Sequence, residues 1–249
     1  MKTQNFKDLF SQSSQDYAKY RPQYPDTLYS YLASLCDQKN LAWDCATGSG
    51  QAALQLAQHF DAVTATDLSE AQLSQAATHK NIKYQVGSAE AAPLLSNTVN
   101  LTTVAQALHW FRHDAFFAEV KRVSAPGGVL AVWCYDLAKI DHNVDEVILN
   151  LYRNTLAGCW EPERRFLDAG YKNIQVPFDE IMPPPIAMTA TWSLAHLQGY
   201  LTTWSAVNTY IKKFGVNPLA ALSTDLSRAW GANKTKPVSW DLKLRVFRV

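Results

Sequence analysis

Leu41-Ala42-Trp43-Asp44-Cys45-Ala46-Thr47-Gly48-Ser49-Gly50-Gln51 leads into a helical run and then into Ala62-Val63-Thr64-Ala65-Thr66-Asp67. A short apolar segment that breaks into small residues reads as a buried parallel strand entering a tight turn. Gly48 and Gly50 carry no Cβ, so the backbone there can turn sharply and approach a ligand closely. Beyond them, Ala53, Leu56, Ala57 and Phe60 fall at i, i+3, i+4 and i+7, one face of an amphipathic helix. The free N–H groups and positive dipole of that helix point at whatever lies over the loop. Asp67 ends the second strand, where a carboxylate can accept both hydroxyls of a ribose. Strand, glycine loop, helix, strand and acid together form the entrance to a nucleotide-type cofactor pocket.

Two cofactors fit that entrance. Gly48-x-Gly50-x-x-Ala53, with an acid 19 residues after Gly48, matches the dinucleotide fingerprint and would make the chain an NAD(P)-dependent oxidoreductase. Asp44-x-Ala46-x-Gly48-x-Gly50 resembles motif I of the class I S-adenosylmethionine-dependent methyltransferases. The rest of the chain continues the second resemblance. Ile82-Lys83-Tyr84-Gln85-Val86 reads as a third strand, and Gly87-Ser88-Ala89-Glu90 stands where that family has its adenine-binding turn. Val99 to Phe111 is similar to motif IV, a fourth strand that delivers residues to the methyl group. Arg122 to Trp133 resembles the helix end, Pro-Gly-Gly turn and fifth strand that follow. Tyr17 to Pro25 resembles the leader of a subgroup that includes relatives of the trans-aconitate methyltransferases. Thr191-Trp192-Ser193 and Gly199 to Ala206 resemble the same subgroup's carboxyl-terminal cap. One residue departs from the pattern: Ala46 occupies the position of the family's first glycine, and the expectation is that a small residue suffices there.

Strands alternating with helices predict a parallel sheet covered on both faces. The resemblance implies a Rossmann-like, doubly wound α/β fold with a seven-stranded, mostly parallel sheet, an antiparallel last strand and a helical cap. It implies one domain over residues 1–249, with an N-terminal lid at about 1–25, a core at about 26–180 and 238–249, and a cap at about 188–235. The expected cofactor is S-adenosyl-L-methionine. Backbone around Ala46, Gly48 and Gly50 would lie along its methionyl part, and Asp44 would orient the ammonium unless it caps its own loop. Asp67 would hold the ribose, Leu68 would wall the base, and Ser88, Ala89 and Glu90 would flank the adenine. Gln106, at the end of the fourth strand, could accept from the ammonium or simply finish the strand. His109 is the candidate general base near neutral pH, or a histidine hydrogen-bonded for structure. Tyr17, Tyr20, Arg21, Trp110 and Trp204 are candidates for the lid or the substrate wall, with Arg21 and Arg112 able to clamp a carboxylate.

Composition narrows the partners. The 249 residues carry 23 basic and 22 acidic side chains, which supplies no field for a phosphate backbone, so a small-molecule acceptor is expected rather than nucleic acid. The link to trans-aconitate makes a small carboxylic acid the leading acceptor class. No apolar run approaches the roughly 18 residues of a membrane span, and Met1 to Gln15 lacks the apolar core of a signal peptide. Cys36, Cys45, Cys134 and Cys159 are widely spaced, which suggests neither zinc nor a disulfide framework and leaves no metal expected. A cytoplasmic monomer or homodimer is the reading, with a binding-only relative as the alternative from another class.

Other elements read locally. Leu28, Tyr31, Leu32 and Leu35 mark a helix, and Ser69-x-x-Gln72 is a capping box. Phe116, Phe117, Val120 and Val123 mark a helix that Asp114 can cap and that ends before Pro126. Val144, Val147, Ile148, Leu151 and Tyr152 mark another, finished by Gly158. Ile174 to Phe178 and Leu242 to Val249 read as the last two strands.

Overall fold

β1 (Leu41–Cys45) is buried from Ala42 to Cys45 and lies near the middle of a seven-stranded sheet, as a strand covered on both faces must. The structure is a computed structural model that describes residues 19–249, so Tyr17 and most of the expected lid lie outside the described residues. Around β1 run β2 (Ala62–Asp67), β3 (Ile82–Val86), β4 (Val99–Ala105), β5 (Ser124–Tyr135), β6 (Asp179–Ile181) and β9 (Leu242–Arg248), in the order β3-β2-β1-β4-β5-β9-β6. Strands β1 to β5 pair in parallel, and β9 runs antiparallel to both β5 and β6. From β1 the chain steps to β2 and β3 on one side, then to β4 and β5 on the other. That reversal opens a crevice at the carboxyl ends of β1 and β4.

Alternating side chains feed two cores. In β5, Val129, Ala131 and Trp133 face one cluster while Leu130, Val132 and Cys134 face the other. The first cluster takes Leu28, Tyr29 and Leu32 from α1 (Asp26–Ser34) and Ala53 and Leu56 from α2 (Gln51–Leu56). It also takes Val144 and Ile148 from α5 (His142–Asn150), whose start is capped by Asp141 accepting from the Val144 amide at 3.1 Å. The second takes Phe116, Phe117, Val120 and Val123 from α4 (His113–Val123) and Leu167 from α6 (Arg164–Asp168). Half of the expected capping box forms at α3 (Glu70–Leu73): Ser69 Oγ accepts from the Gln72 amide at 3.3 Å, while the Ser69 amide donates to Asp67 at 2.8 Å rather than to the Gln72 side chain.

Two expectations are corrected. Ile174 to Phe178 is not a strand: the pairing segment is Asp179–Ile181. Arg245 donates to the carbonyls of Tyr171 and Ile174 at 2.7 and 2.9 Å, which folds that stretch back, and Pro177 cannot donate to a ladder. Asp114 does not cap α4, whose N-cap Arg112 has no side-chain cap bond.

Strands β7 (Met188–Trp192) and β8 (Lys236–Trp240) form a separate antiparallel pair, and the chain between them folds into three helices. These are α7 (Leu194–Thr202), α8 (Ser205–Phe214) and α9 (Pro218–Trp230). Local signals set their limits: Ser193 and Asn217 cap the starts of α7 and α9, and Gly215 and Gly231 follow the ends of α8 and α9 at φ 71° and 69°. Leu197, Tyr200, Trp204, Leu226 and Trp230 belong to the same apolar cluster as Trp133 and Tyr135, so cap and sheet share a core. Among the described residues no helix is long and apolar enough to cross a membrane.

Tyr20 is seated on α7. Its carbonyl oxygen lies 3.2 Å from His196 Nε2, and a Cβ added at Gly199 would meet the Tyr20 ring at 2.5 Å. Overpacking of that kind costs about 1–3 kcal/mol, more than the roughly 1 kcal/mol that alanine gains over glycine within a helix. Gly199→Ala should therefore lower the melting temperature of the wild type, by about 2–4 °C per kcal/mol of net cost for a chain of this size. In a Tyr20→Ala background the same substitution should raise it. A drop of equal size in both backgrounds would show that the ring does not rest there.

Candidate active site

The loop after β1 places three residues in the left-handed region, Ala46 at φ 55°, Gly48 at 57° and Gly50 at 81°. The expectation that position 46 needs only a small residue is overturned. Its backbone needs the conformation glycine adopts freely, and alanine bears a strain of roughly 1–2 kcal/mol there. Gly50 is required twice over, because a Cβ would also fall 2.5 Å from the Tyr84 hydroxyl. The loop is pinned to β2 by the Thr47 amide donating to the Thr66 carbonyl at 2.9 Å.

Asp44 is wholly buried beneath this loop. Its carboxylate accepts from the Thr47 hydroxyl at 2.5 Å, from the Thr103 hydroxyl of β4 at 2.8 Å and from the backbone of Ala53. Burial pushes its pKa up to about 6 against the lowering effect of these bonds. Asp44 thus caps its own loop and ties it to β4, while also lining the cavity above. At the end of β2, Asp67 accepts from the Gly48 amide through one oxygen and from the Ser69 amide through the other, each at 2.8 Å. Leu68 beside it is 50% exposed, an apolar face with room for a flat partner.

The turn after β3 is closed on itself. Ser88 donates its hydroxyl to Glu90, and the Glu90 amide returns a bond to Ser88 Oγ at 3.1 Å. Glu90 also accepts from the Arg112 amide at 3.0 Å, so it fastens this turn to the start of α4. Ala89 is buried within it.

Two cavities adjoin at the carboxyl end of β4. The first, about 60 Å³, is walled by Asp44, Ala46, Thr47 and Gly48 together with Tyr24 and Gln51. The second, about 70 Å³, is walled by Arg21, His109, Trp110, Tyr135, Trp160, Arg164 and Trp204. Gln106 lines both. Its backbone sits at φ 58°, and its buried Nε2 has no hydrogen-bond partner among the described residues. An amide donor left unsatisfied at a strained residue is what a ligand-facing group looks like before its ligand arrives.

His109 is buried, with Nδ1 3.2 Å from the hydroxyl of Tyr171 and the two rings stacked. Burial first, then the nearby charges of Arg164 and His113, press its pKa down to about 3. It is therefore neutral across the physiological range.

The predicted residues separate into groups. Asp44, Ala46, Gly48 and Gln106 meet at the first cavity, while Gly50, Asp67, Leu68, Ser88, Ala89 and Glu90 line neither cavity; Asp67 ends β2, Leu68 follows it, and Ser88 to Glu90 follow β3. Arg21, His109, Trp110 and Trp204 meet at the second. Arg21 is engaged there: it donates to the Thr203 hydroxyl at 2.9 Å, the Thr203 carbonyl at 3.1 Å and the Tyr135 hydroxyl at 3.2 Å. Trp204 packs among Tyr152, Trp160 and Tyr200. Tyr20 lines neither cavity. Thr47, Thr103, Tyr24, Trp160 and Arg164 escaped the sequence reading. Tyr24 falls inside the quoted leader, whereas Arg164 belongs to a charged stretch, Glu161-Pro162-Glu163-Arg164-Arg165, that reads as solvated surface.

The methyltransferase-domain family matches residues 43–132, the segment from β1 into β5. A Dictyostelium discoideum protein described as a methyltransferase is 35% identical over 248 residues, covering 98% of this chain and 94% of its own. A solved structure from Anaeromyxobacter dehalogenans, described as a type II methyltransferase, superposes with a TM-score of 0.86 at 40% identity, over 92% of this chain and 98% of the other. A structure from Anabaena variabilis, described as a methyltransferase from an antibiotic biosynthesis pathway, shares the fold at 16% identity, with a TM-score of 0.56 over 91% of this chain and 98% of the other. With the strand order, the glycine loop over a buried acid and these full-length relatives in agreement, the chain belongs to the class I S-adenosylmethionine-dependent methyltransferases.

Proposed function

We propose that this enzyme methylates a small-molecule carboxylic acid that docks at the solvent-open cavity beside His109. The observation that carries the reading is the neutral His109. A base whose conjugate acid has a pKa of about 3 is a weak acceptor for the proton of an alcohol or amine. A carboxylate arrives already ionised and needs only placement.

The residues present suit S-adenosylmethionine. Ala46, Thr47 and Gly48 would follow its methionyl chain, Asp67 would accept from the ribose, and Leu68 with the Ser88–Glu90 turn would flank the adenine. Gln106 would offer its unsatisfied amide at the junction of the two cavities. When bound, the cofactor would supply an electrophilic methyl carbon, and an acceptor that arrives as a carboxylate would need no proton removed by the protein. The protein's part is to align the acceptor and exclude water. Arg21 contributes by holding the leader, β5 and the end of α7 together at the wall of the acceptor cavity. Trp110, 40% exposed, and Trp204 supply apolar wall.

Asp67→Ala should weaken S-adenosylhomocysteine binding by at least tenfold in calorimetry, with the circular dichroism spectrum unchanged. Each charge-assisted bond it offers the ribose contributes roughly 1.5–3 kcal/mol. Unaltered affinity would remove Asp67 from the cofactor site.

Asp44 should leave a pH signature in the cofactor-free protein. Its folded pKa, about 6, stands above the ordinary 3.8, so the folded state binds the proton more tightly than the unfolded chain. Asp44 thus costs stability above pH 6, and the cost fades as the pH falls towards 4. Asp44→Asn should raise the melting temperature at pH 7.5, flatten its dependence between pH 4 and 7, and weaken cofactor binding. A variant that is less stable at pH 7.5 would contradict the assignment.

His109→Asn should cost little in turnover, and the rate should show no acid limb near the ordinary histidine pKa of ~6.5. A hundredfold loss accompanied by such a limb would make His109 the base and move the acceptor to a hydroxyl or amine.

A further inference from the structure

Arg164 opens α6 at the wall of the acceptor cavity. Its guanidinium stacks over Trp160 at 4.7 Å and over Tyr152 at 5.4 Å. Its Nε donates to the Tyr152 hydroxyl at 3.3 Å and to Asp168 at 3.2 Å. Its two terminal nitrogens donate to no acceptor among the described residues, although the side chain is only 26% exposed. A guanidinium held flat by two rings and pinned through Nε presents its remaining fork without further loss of rotamer freedom, which is the geometry for bidentate capture of one carboxylate. The cavity's other guanidinium, Arg21, is already committed to Thr203 and Tyr135.

The remaining walls restrict what that carboxylate can be attached to. Trp110, Tyr135, Trp160, Tyr200 and Trp204 present ring surfaces, and His109 adds an uncharged imidazole. Two acids, Asp136 and Glu161, also face the cavity, and Lys243 stands 3.2 Å from Asp136. An aliphatic polycarboxylate would leave the rings without a flat partner, and the second guanidinium its further carboxylates would call for, Arg21, is already engaged. A single carboxylate on a planar aromatic body satisfies Arg164 and the rings together. We infer that Arg164 is the specificity residue of this enzyme and that it selects a planar aromatic monocarboxylate over an aliphatic polycarboxylate. The inference rests on the carboxylic-acid reading above and departs from the tricarboxylate that the subgroup resemblance suggests.

The test uses the full-length protein saturated with S-adenosylhomocysteine and follows tryptophan fluorescence, to which Trp160 and Trp204 report, during titration with benzoate, phenol or tricarballylate. Benzoate should bind at least tenfold more tightly than either of the others. Arg164→Gln should lower benzoate affinity at least tenfold, Arg164→Lys should restore only part of it, and both variants should keep the wild-type affinity for S-adenosylhomocysteine, which certifies their fold. Phenol or tricarballylate binding as well as benzoate would overturn the inference, as would a benzoate affinity that ignores Arg164→Gln. Mass analysis with S-adenosylmethionine separates the two layers: methylation of tricarballylate alone would keep the carboxylic-acid reading and sink the selection by Arg164. Methylation of phenol alone would sink both.

Discussion

A carboxylate without contact to water holds the catalytic end of this sheet together. Asp44 stands at the end of β1, and removing its charge from solvent is costly unless donors replace the lost water. Thr47 from the glycine loop, Thr103 from β4 and the backbone of Ala53 in α2 supply that replacement. Each donor comes from a different element, so satisfying the charge fixes the loop, the neighbouring strand and the following helix in one arrangement. The raised pKa is the residue of incomplete compensation: three bonds do not fully offset burial.

Strain gathers around the same point. Ala46 and Gln106, at φ 55° and 58°, follow the carboxyl ends of adjacent strands β1 and β4 and line the same cavity. Two non-glycine residues in the left-handed region, side by side at a sheet's switch point, are held by bonds around them: the Thr47 amide next to Ala46 donates to the Thr66 carbonyl and the Gln106 backbone amide to the Trp133 carbonyl, each at 2.9 Å. The conformation turns backbone and the Gln106 amide towards the crevice.

The sequence made the sheet legible because its signals are local. Glycines, a strand-end acid and helical periodicity at Ala53, Leu56, Ala57 and Phe60 all act within a few residues, and all four of those apolar residues are buried. Ile174, Val176 and Phe178 misled because they alternate as a strand does, while their burial comes from packing under the sheet rather than from a ladder. Arg164 was illegible for the opposite reason. Nothing in a charged stretch records that Trp160 and Tyr152 will stack on its side chain and turn it into a cavity wall. Ala46 shows a third limit: residue type discloses the departure from glycine, and only backbone geometry discloses that φ stays positive.

The two halves of the site differ in how they are built, and that difference explains why one was readable. The cavity over the glycine loop draws mainly on residues 44 to 52, which a single turn brings together. The cavity beside His109 draws on the leader at Arg21, the end of β4, β5 at Tyr135, the segment around Arg164 and the helices between β7 and β8 at Trp204. No short motif can encode such a surface. What joins these distant segments is the apolar cluster shared by cap and sheet, in which Tyr200 and Trp204 pack together with Trp133 and Tyr135. The same cluster holds Ala53, whose backbone bonds Asp44, and Tyr24, which packs on Trp133 and Tyr135. The two cavities meet at one lining residue, Gln106, and one apolar cluster underlies both, through Tyr24 at the first and through Tyr135, Tyr200 and Trp204 at the second, so the two are built from different segments yet packed as one body.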